Sequence, residues 1–253
     1  MRIRFANTEH AIILKKGVLS VFQIENQTLF TRICQSLLSY AGQGALEPFT
    51  VWDDDLTEVH PEKALMVIPN PLELPWKHRD LLSGAYAQID QLLNESEEAL
   101  TSLQKCSNAI ASTLLKASHQ MLGEYRFDLE WDACTHLKTF GFNVDRTCNT
   151  TLLDNLTSFV DLAADSKINK ALLFFNLKNY LTKKDLALLC EHAFSCNLRL
   201  LTIENRSTAS YPDIESKLVI DQDFIEYQVH YQSLRPSLAQ EGICPIGFGA
   251  VTF

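Results

Sequence analysis

ALLFFNL, residues 171–177, opens with an apolar run of strand length at 171–175, and LLTIE at residues 200–204 carries a second, interrupted only by Thr202 before its terminal Glu204. A strand apolar at every position suits a parallel sheet covered on both faces, whereas a half-solvated strand alternates. Between the two, Thr182 opens a helical pattern that runs to Cys196, with Asp185 at the spacing of a capping box. The alternation continues outward. Residues 142–147 read as a strand, and 151–164 as a helix with Leu152, Leu156, Phe159, Val160 and Ala163 inward. Residues 198–204 and 217–221 read as further strands. This order specifies an α/β fold, a mostly parallel sheet with helices on both faces.

Residues 1–68 are expected to supply the other strands of that sheet. Ile3 and Phe5 alternate with arginines, residues 11–15 form a second strand, and Gly17 turns the chain into a third at 18–24. Leu29, Ile33, Leu37 and Tyr40 then repeat at helical spacing, with Asn26 or Thr28 as cap. After a short strand at 49–52, Asp53, Asp54 and Asp55 form an acidic run that is more often a turn than a metal site. The apolar run 64–68 suits a central strand, and Pro69, Pro71 and Pro75 close it.

Residues 76–121 are almost wholly helical. Leu82, Tyr86, Ile89 and Leu93 form one stripe, and Leu103, Ser107, Ile110 and Leu114 form another. The sequence NESEE at 94–98 divides the run, with Ser96 or Asn94 as a cap. A hairpin of this kind buries one stripe only and must lean on the rest of the chain or on a second copy. The expected division is an α/β head at 1–72 and 122–223, an inserted helical leg at 73–121 and an irregular tail at 224–253.

At the junction of leg and head the chain reads EYRFDLEWDACTHLKTFGFNV, residues 124–144. Phe127, Leu129 and Trp131 alternate with Asp128, Glu130 and Asp132, a strand with its acids on one face. From Asp132 the period becomes helical: Asp132 is a cap, Leu137 and Phe140 give an apolar side, and Gly141 ends the turn. Such an acidic face is as often simply solvated. The alternative is a divalent-cation site, because like charges this close repel unless a cation offsets them.

Bulk composition narrows the function. The chain has 253 residues and a formal net charge of -9, which argues against indiscriminate nucleic-acid binding but allows a local basic lining. It contains no apolar run near the roughly 20 residues of a membrane span and no signal-peptide core, so a cytoplasmic location is expected. Cys34, Cys106, Cys134, Cys148, Cys190, Cys196 and Cys244 are scattered, with no CxxC pair, and read mostly as small core hydrophobes.

Catalytic motifs are missing. A phosphate loop needs glycines whose N–H groups cradle phosphate, with Lys and Ser/Thr behind them. Here the strand at 18–24 enters its helix through Glu25, Asn26, Gln27 and Thr28. The strand at 171–175 ends in Asn176 where an ATPase places a metal-holding Asp. His136, one helical step from Asp132, is more often a structural partner than a base, and His192, Glu191 and Lys178 read as surface residues. These residues indicate a binding or assembly protein rather than an enzyme.

The segments VFQIEN at 21–26, ALMVIPN at 64–70, FDLEWDACTHLKTFGFNV at 127–144, ALLFFNLKNYLTKKDL at 171–186 and LVIDQDF at 218–224 are arranged in a familiar order. Together they resemble the ring-forming spacer-acquisition protein of type II-A CRISPR–Cas systems, over about residues 1–223. That resemblance implies a P-loop-like head without the ATPase motifs, a helical leg, and a homotetrameric ring that encircles double-stranded DNA and depends on calcium (Ca2+). It implies a role beside the adaptation integrase and the RNA-guided effector nuclease, no catalysis and no membrane contact. Carried over to this chain, its acidic stretch gives Asp128, Glu130 and Asp132, with Glu124 nearby, as calcium ligands. Cations for DNA phosphates would be Lys77, Arg79, Lys105 and Lys116 from the leg, and Arg146, Lys178, Lys183 and Lys184 from the head. Residues 224–253 have no counterpart in the resemblance. The competing expectations are a structural scaffold with incidental DNA contact and a diverged nucleotide-binding enzyme.

Overall fold

The computed structural model describes residues 1–126, 132–147 and 150–230. The expected strand at 127–131, with Asp128 and Glu130, lies outside these residues. So do Cys148, Cys244 and all but the first few residues of the expected tail.

The chain begins with β1 (Arg2–Phe5), β2 (Ile12–Ile13) and β3 (Leu19–Ile24), and then forms α1 (Gln27–Ser39). β4 (Phe49–Trp52), β5 (Glu58–Val59), the single turn α2 (Pro61–Ala64) and β6 (Leu65–Ile68) follow. Two long helices come next, α3 (Arg79–Asn94) and α4 (Glu97–Ser118), and then the short α5 (Ala133–Thr139). The remainder alternates: α6 (Leu152–Asp165), β7 (Ala171–Phe175), α7 (Lys183–Ser195), β8 (Leu200–Glu204), β9 (Glu215–Ile220) and β10 (Glu226–Val229).

One mixed sheet has the order β10-β9-β3-β8-β7-β6. All its pairings are parallel except β10 on β9. β3, β7 and β8 are buried at every residue, in keeping with their largely apolar character. The fold is thus α/β with a mostly parallel sheet, but residues 1–68 divide between two sheets. Only β3 and β6 enter the parallel one, and β2-β1-β4-β5 form a separate antiparallel sheet. The reason is visible in β1: Ile3 and Phe5 are buried while Arg4 is exposed, and such alternation fits a sheet with one solvated face.

The layers follow from this split. On one face of the parallel sheet, Phe22, Ile24, Leu173 and Ile203 pack with Ile3, Phe5 and Val51 of the antiparallel sheet and with Ile33 and Leu37 of α1. Phe5 stacks on Phe22 at 5.8 Å between ring centroids. On the other face, Leu19, Val21, Leu172 and Phe174 meet Leu156, Phe159 and Val160 of α6, and Leu186 and Leu189 of α7. The expectation of helices on both faces therefore holds fully for one face, while on the other α1 shares the cover with a sheet. Edge strand β6 is protected on its open side, where the Tyr40 hydroxyl accepts a hydrogen bond from Val67 N at 3.0 Å.

Two local expectations changed. Residues 142–147 do not form a strand: Phe142 meets Tyr86 of α3 edge-on at 5.6 Å, and Asp145 Oδ1 accepts from Thr147 N at 2.9 Å, closing a turn that breaks any ladder. Conversely, the start of the expected tail is ordered as β10, where Tyr227 faces Val219 across the antiparallel pair. The carboxylate of Glu226 accepts hydrogen bonds from Glu9 N and His10 N, at 2.9 and 3.0 Å, and ties this edge to the β1–β2 connection. The acidic run at 53–55 is a turn, with Asp53 Oδ1 accepting from Asp55 N and Thr57 N.

α3 is held against the parallel sheet's helix layer by one close approach. Leu81 and Ala85 are buried, and the Ser166 hydroxyl, at the end of α6, donates to Leu81 O at 2.6 Å and to Leu162 O at 2.7 Å. Asp80 pairs with Lys170, which holds its carboxyl below the usual range. Gly84 makes the contact possible, because a Cβ there would lie 2.2 Å from the Ser166 carbonyl oxygen. Gly84→Ala tests this. Helix propensity alone predicts a gain of about 1 kcal/mol, but the collision with backbone reverses the sign. Urea denaturation should show a less stable protein, and a more stable one would refute the close approach.

Candidate functional site

The crevice beyond the C-terminal ends of parallel strands is where an open α/β sheet presents ligands. In this chain that edge is filled by its own side chains. Asn26 caps α1, its Oδ1 accepting from Leu29 N at 3.0 Å, and Gln23 Nε2 donates to Glu25 Oε1 at 2.8 Å. A cavity of about 400 Å³ opens beside this cap, lined among others by Asn26, Thr28, Arg32, Glu47 and Glu226. Its charges are already engaged, since Arg32 pairs with Glu47, and Glu226 with His10. The helix start therefore carries an Asn cap and flanking acids rather than a ring of glycine N–H groups.

Beside the crevice lies a buried polar cluster. The Lys178 ammonium donates to Glu215 at 2.8 Å and to Ala209 O at 2.6 Å, and it sits 4.6 Å from the Tyr211 ring centre. Lys217 Nζ donates to Gln23 Oε1 at 2.8 Å and to Thr208 O at 2.7 Å. Glu204 Oε1 accepts from Thr202 Oγ1 at 2.6 Å and Lys178 N at 3.0 Å, while Oε2 is buried without a hydrogen bond. Burial lifts the Glu204 carboxyl above its usual range, and burial, followed by the neighbouring Lys178 charge, lowers Lys217. Sequence reading placed Lys178 on the surface. The reach of its side chain across to Glu215 is a tertiary contact with no local signal.

The acidic junction has a different character. Asp132 is the N-cap of α5, its Oδ2 accepting from Thr135 N at 2.7 Å, and Gly141 adopts φ 71° just after the helix, as its sequence pattern indicated. Hydrogen bonds from Thr135 hold the Asp132 carboxyl below its usual range. Asp132 and Glu124 are both exposed. His136 turns its ring nitrogen to Asp132 O at 2.9 Å, a backbone contact within one helical turn. The exposed carboxylates of Glu124, beyond the end of α4, and Asp132, at the start of α5, are the donor type a hard cation takes.

A family model for CRISPR-associated protein (Cas_Csn2) matches residues 44–224. The chain belongs to this family. Curated Csn2 relatives are similar over most of the chain. The CRISPR-associated protein Csn2 of Enterococcus faecalis is 21% identical over 227 residues, covering 88% of this chain and 97% of the relative. That of Streptococcus agalactiae is 22% identical, covering 88% and 96%. A solved structure, Stu0660 of Streptococcus thermophilus, shares the fold with a TM-score of 0.52 at 15% identity, over 92% of this chain and 77% of that one.

Within this Csn2 frame, the cations named from the sequence are dispersed. Lys77 and Arg79 are exposed at the start of α3, and Lys105 and Lys116 are exposed along α4. Arg146 lies over the Trp76 ring at 5.1 Å, and Lys183 pairs with Asp213 at 2.9 Å. Lys184 is exposed at the start of α7, whereas the Lys178 side chain is 3% exposed and committed to Glu215. The thiols divide similarly: Cys34 and Cys190 are buried, each pushed up to about 12 by burial, while Cys106 is exposed and Cys134 and Cys196 are half-buried. Among the described residues no helix is long and apolar enough to cross a membrane.

Two measurements check the buried cluster. Lys178→Met leaves the Glu215 charge uncompensated and should cost about 3–5 kcal/mol, whereas Lys178→Met with Glu215→Leu should cost clearly less. Chemical denaturation of both variants decides it, and equal losses would show that the pair is not coupled. Glu204, raised in the folded state, binds its proton more tightly there than in the unfolded chain. Stability should therefore fall as pH rises from about 4.3 through the folded value, and Glu204→Gln should flatten that slope in denaturation curves taken across pH.

Proposed function

We propose that this chain is a calcium-dependent, ring-forming accessory protein of CRISPR spacer acquisition, which holds double-stranded DNA without reading its sequence. The observation that carries the reading is the family match, whose span of residues 44–224 includes all four junction acids, Glu124, Asp128, Glu130 and Asp132. Ca2+ takes six to eight oxygen ligands, and carboxylates supply them without protein rearrangement of the core. Asp132 sets Oδ2 on its helix cap, and the side chains of both Asp132 and Glu124 are exposed. In this reading the ion joins the end of α4 to the start of α5 and sets the angle of the helical leg.

Assembly into a homotetramer is supported by α4, whose Ile110, Leu114 and Leu115 are exposed while Ala111 and Ser118 are its only buried residues. Exposed apolar residues in one stripe are suited to a second copy. Lys77, Arg79, Lys105, Lys116, Arg146, Lys183 and Lys184 supply the positive lining for phosphate, and Lys178 is better assigned to the buried pair. The protein acts as a non-catalytic partner of the adaptation integrase and the RNA-guided effector nuclease.

Glu130→Gln combined with Asp132→Asn removes ligand charge while asparagine still caps α5. Sizing by light scattering should show wild-type mass rising with Ca2+ and the double variant insensitive to it; a variant that keeps its calcium response places the ion elsewhere. Duplex-DNA gel shifts in Ca2+ should weaken by roughly a thousandfold between 50 and 200 mM salt if about six phosphates are contacted. The absence of any shift in Ca2+ sinks the DNA reading.

A further inference from the structure

Asp161 of α6, His192 near the end of α7 and Cys196 at its C-cap bring a carboxylate, an imidazole and a thiol to one point, with their ligand atoms all within 4.8 Å of one another. The individual separations are 2.7 Å from His192 Nε2 to Asp161 Oδ1, 3.8 Å from Nε2 to Cys196 Sγ, and 4.0 Å from Sγ to Oδ1. We propose that these side chains form a binding site for a zinc-class divalent cation, separate from the acidic junction.

The same three residue types could instead suggest a nucleophile, base and orienting acid. That arrangement requires the acid on one ring nitrogen and the thiol on the other. Here Asp161 and Cys196 both approach Nε2, so the imidazole cannot relay a proton between them. Convergence on one lone pair is instead the geometry of metal ligation. Tetrahedral zinc, with bonds of about 2.0–2.3 Å, places its ligand atoms roughly 3.3–3.7 Å apart. The sulfur separations are already close to this, and the Nε2–Oδ1 pair needs to open by a few tenths of an ångström.

The elements that carry the ligands are rigid. His192 and Cys196 are four residues apart, which puts them on one helix face, and Cys196 N donates to His192 O at 3.0 Å. α6 packs on α7 beneath the same face of the parallel sheet, and this presents Asp161 to that pair. Asp161 also lines a cavity of about 600 Å³ with Ser158, Asp165 and Lys167, which gives a hydrated ion a path in and a water for the fourth ligand position. One nitrogen, one sulfur and one oxygen suit zinc and similar borderline ions, and they do not suit Ca2+, which takes six or more oxygens. Binding displaces the thiol proton and the proton held between His192 and Asp161. The ion would pin the end of α7 to α6 one turn before Ser166, where α3 is docked.

The test is a titration of the metal-stripped, reduced full chain with Co2+, followed by Zn2+. One equivalent of Co2+ should produce tetrahedral d–d absorption with a thiolate charge-transfer band, and Zn2+ should bleach both. Loss of an outer partner alone weakens metal sites by about 10–100-fold, so His192→Ala and Cys196→Ser should each weaken binding by at least roughly tenfold. Cys106→Ser, an exposed thiol elsewhere, should change nothing. Circular dichroism confirms that each variant is folded, and the near-isosteric Cys196→Ser carries the conclusion if His192→Ala does not fold. A cobalt spectrum without the thiolate band, or wild-type affinity in Cys196→Ser, overturns the site. Glu130→Gln with Asp132→Asn should leave the cobalt signal intact, which separates this site from the calcium reading.

Discussion

Burial of the parallel sheet on both faces is the constraint from which the rest of the structure follows. β3, β7 and β8 have no solvated side, so each residue they carry must be apolar or must find a buried partner. Most are apolar. Ser20 of β3 donates to Ile13 O, and the other exceptions, Gln23, Thr202 and Glu204, meet Lys178, Lys217 and Glu215 in one hydrogen-bonded cluster. A crevice that in other α/β sheets would face a ligand is here closed by the chain's own charges. In a Csn2-family protein this is a physical account of an open α/β sheet used as a scaffold.

With the end of the sheet filled by its own side chains, the exposed groups among the described residues are largely those the helices carry. α3 is tied to the body through Gly84 and Ser166, while α4 leaves apolar and basic side chains in solvent. Glu124 and Asp132, in the segment between α4 and α5, expose hard oxygen donors, and a softer set of imidazole, thiol and carboxylate gathers between α6 and α7. These two donor sets prefer different ions. Under both proposals a cation would join two helices, and its effect would fall on their placement.

Local patterns were legible in the sequence. The unbroken apolar runs gave away the parallel strands, Thr182 with Asp185 marked the start of α7 by a capping box, and Asp132 with Gly141 bracketed α5. Thr151 and Asp154 form a second capping box at α6. The family was legible too, because its motifs are short segments in a fixed order. Residues 142–147 misled because apolar alternation also describes a segment that packs on a helix, as Phe142 does on Tyr86. The glycines and prolines further on dominate the composition of the tail and mask β10, although Ile225, Tyr227 and Val229 alternate as a strand should.

The sequence by itself determined which segments are helices and parallel strands, because capping, periodicity and burial act over a few neighbouring residues. It also determined that the usual phosphate-binding loop is absent, since that chemistry requires particular residues in one contiguous run. Tertiary structure alone decided that the N-terminal strands form a second sheet, that Lys178 is buried against Glu215, and that Asp161 meets His192 and Cys196. Each of these rests on a pairing of residues 31 or more positions apart in the chain: β1 with β4, Lys178 with Glu215, and Asp161 with His192. Contacts at that separation are set by how layers stack and leave no period or motif to read.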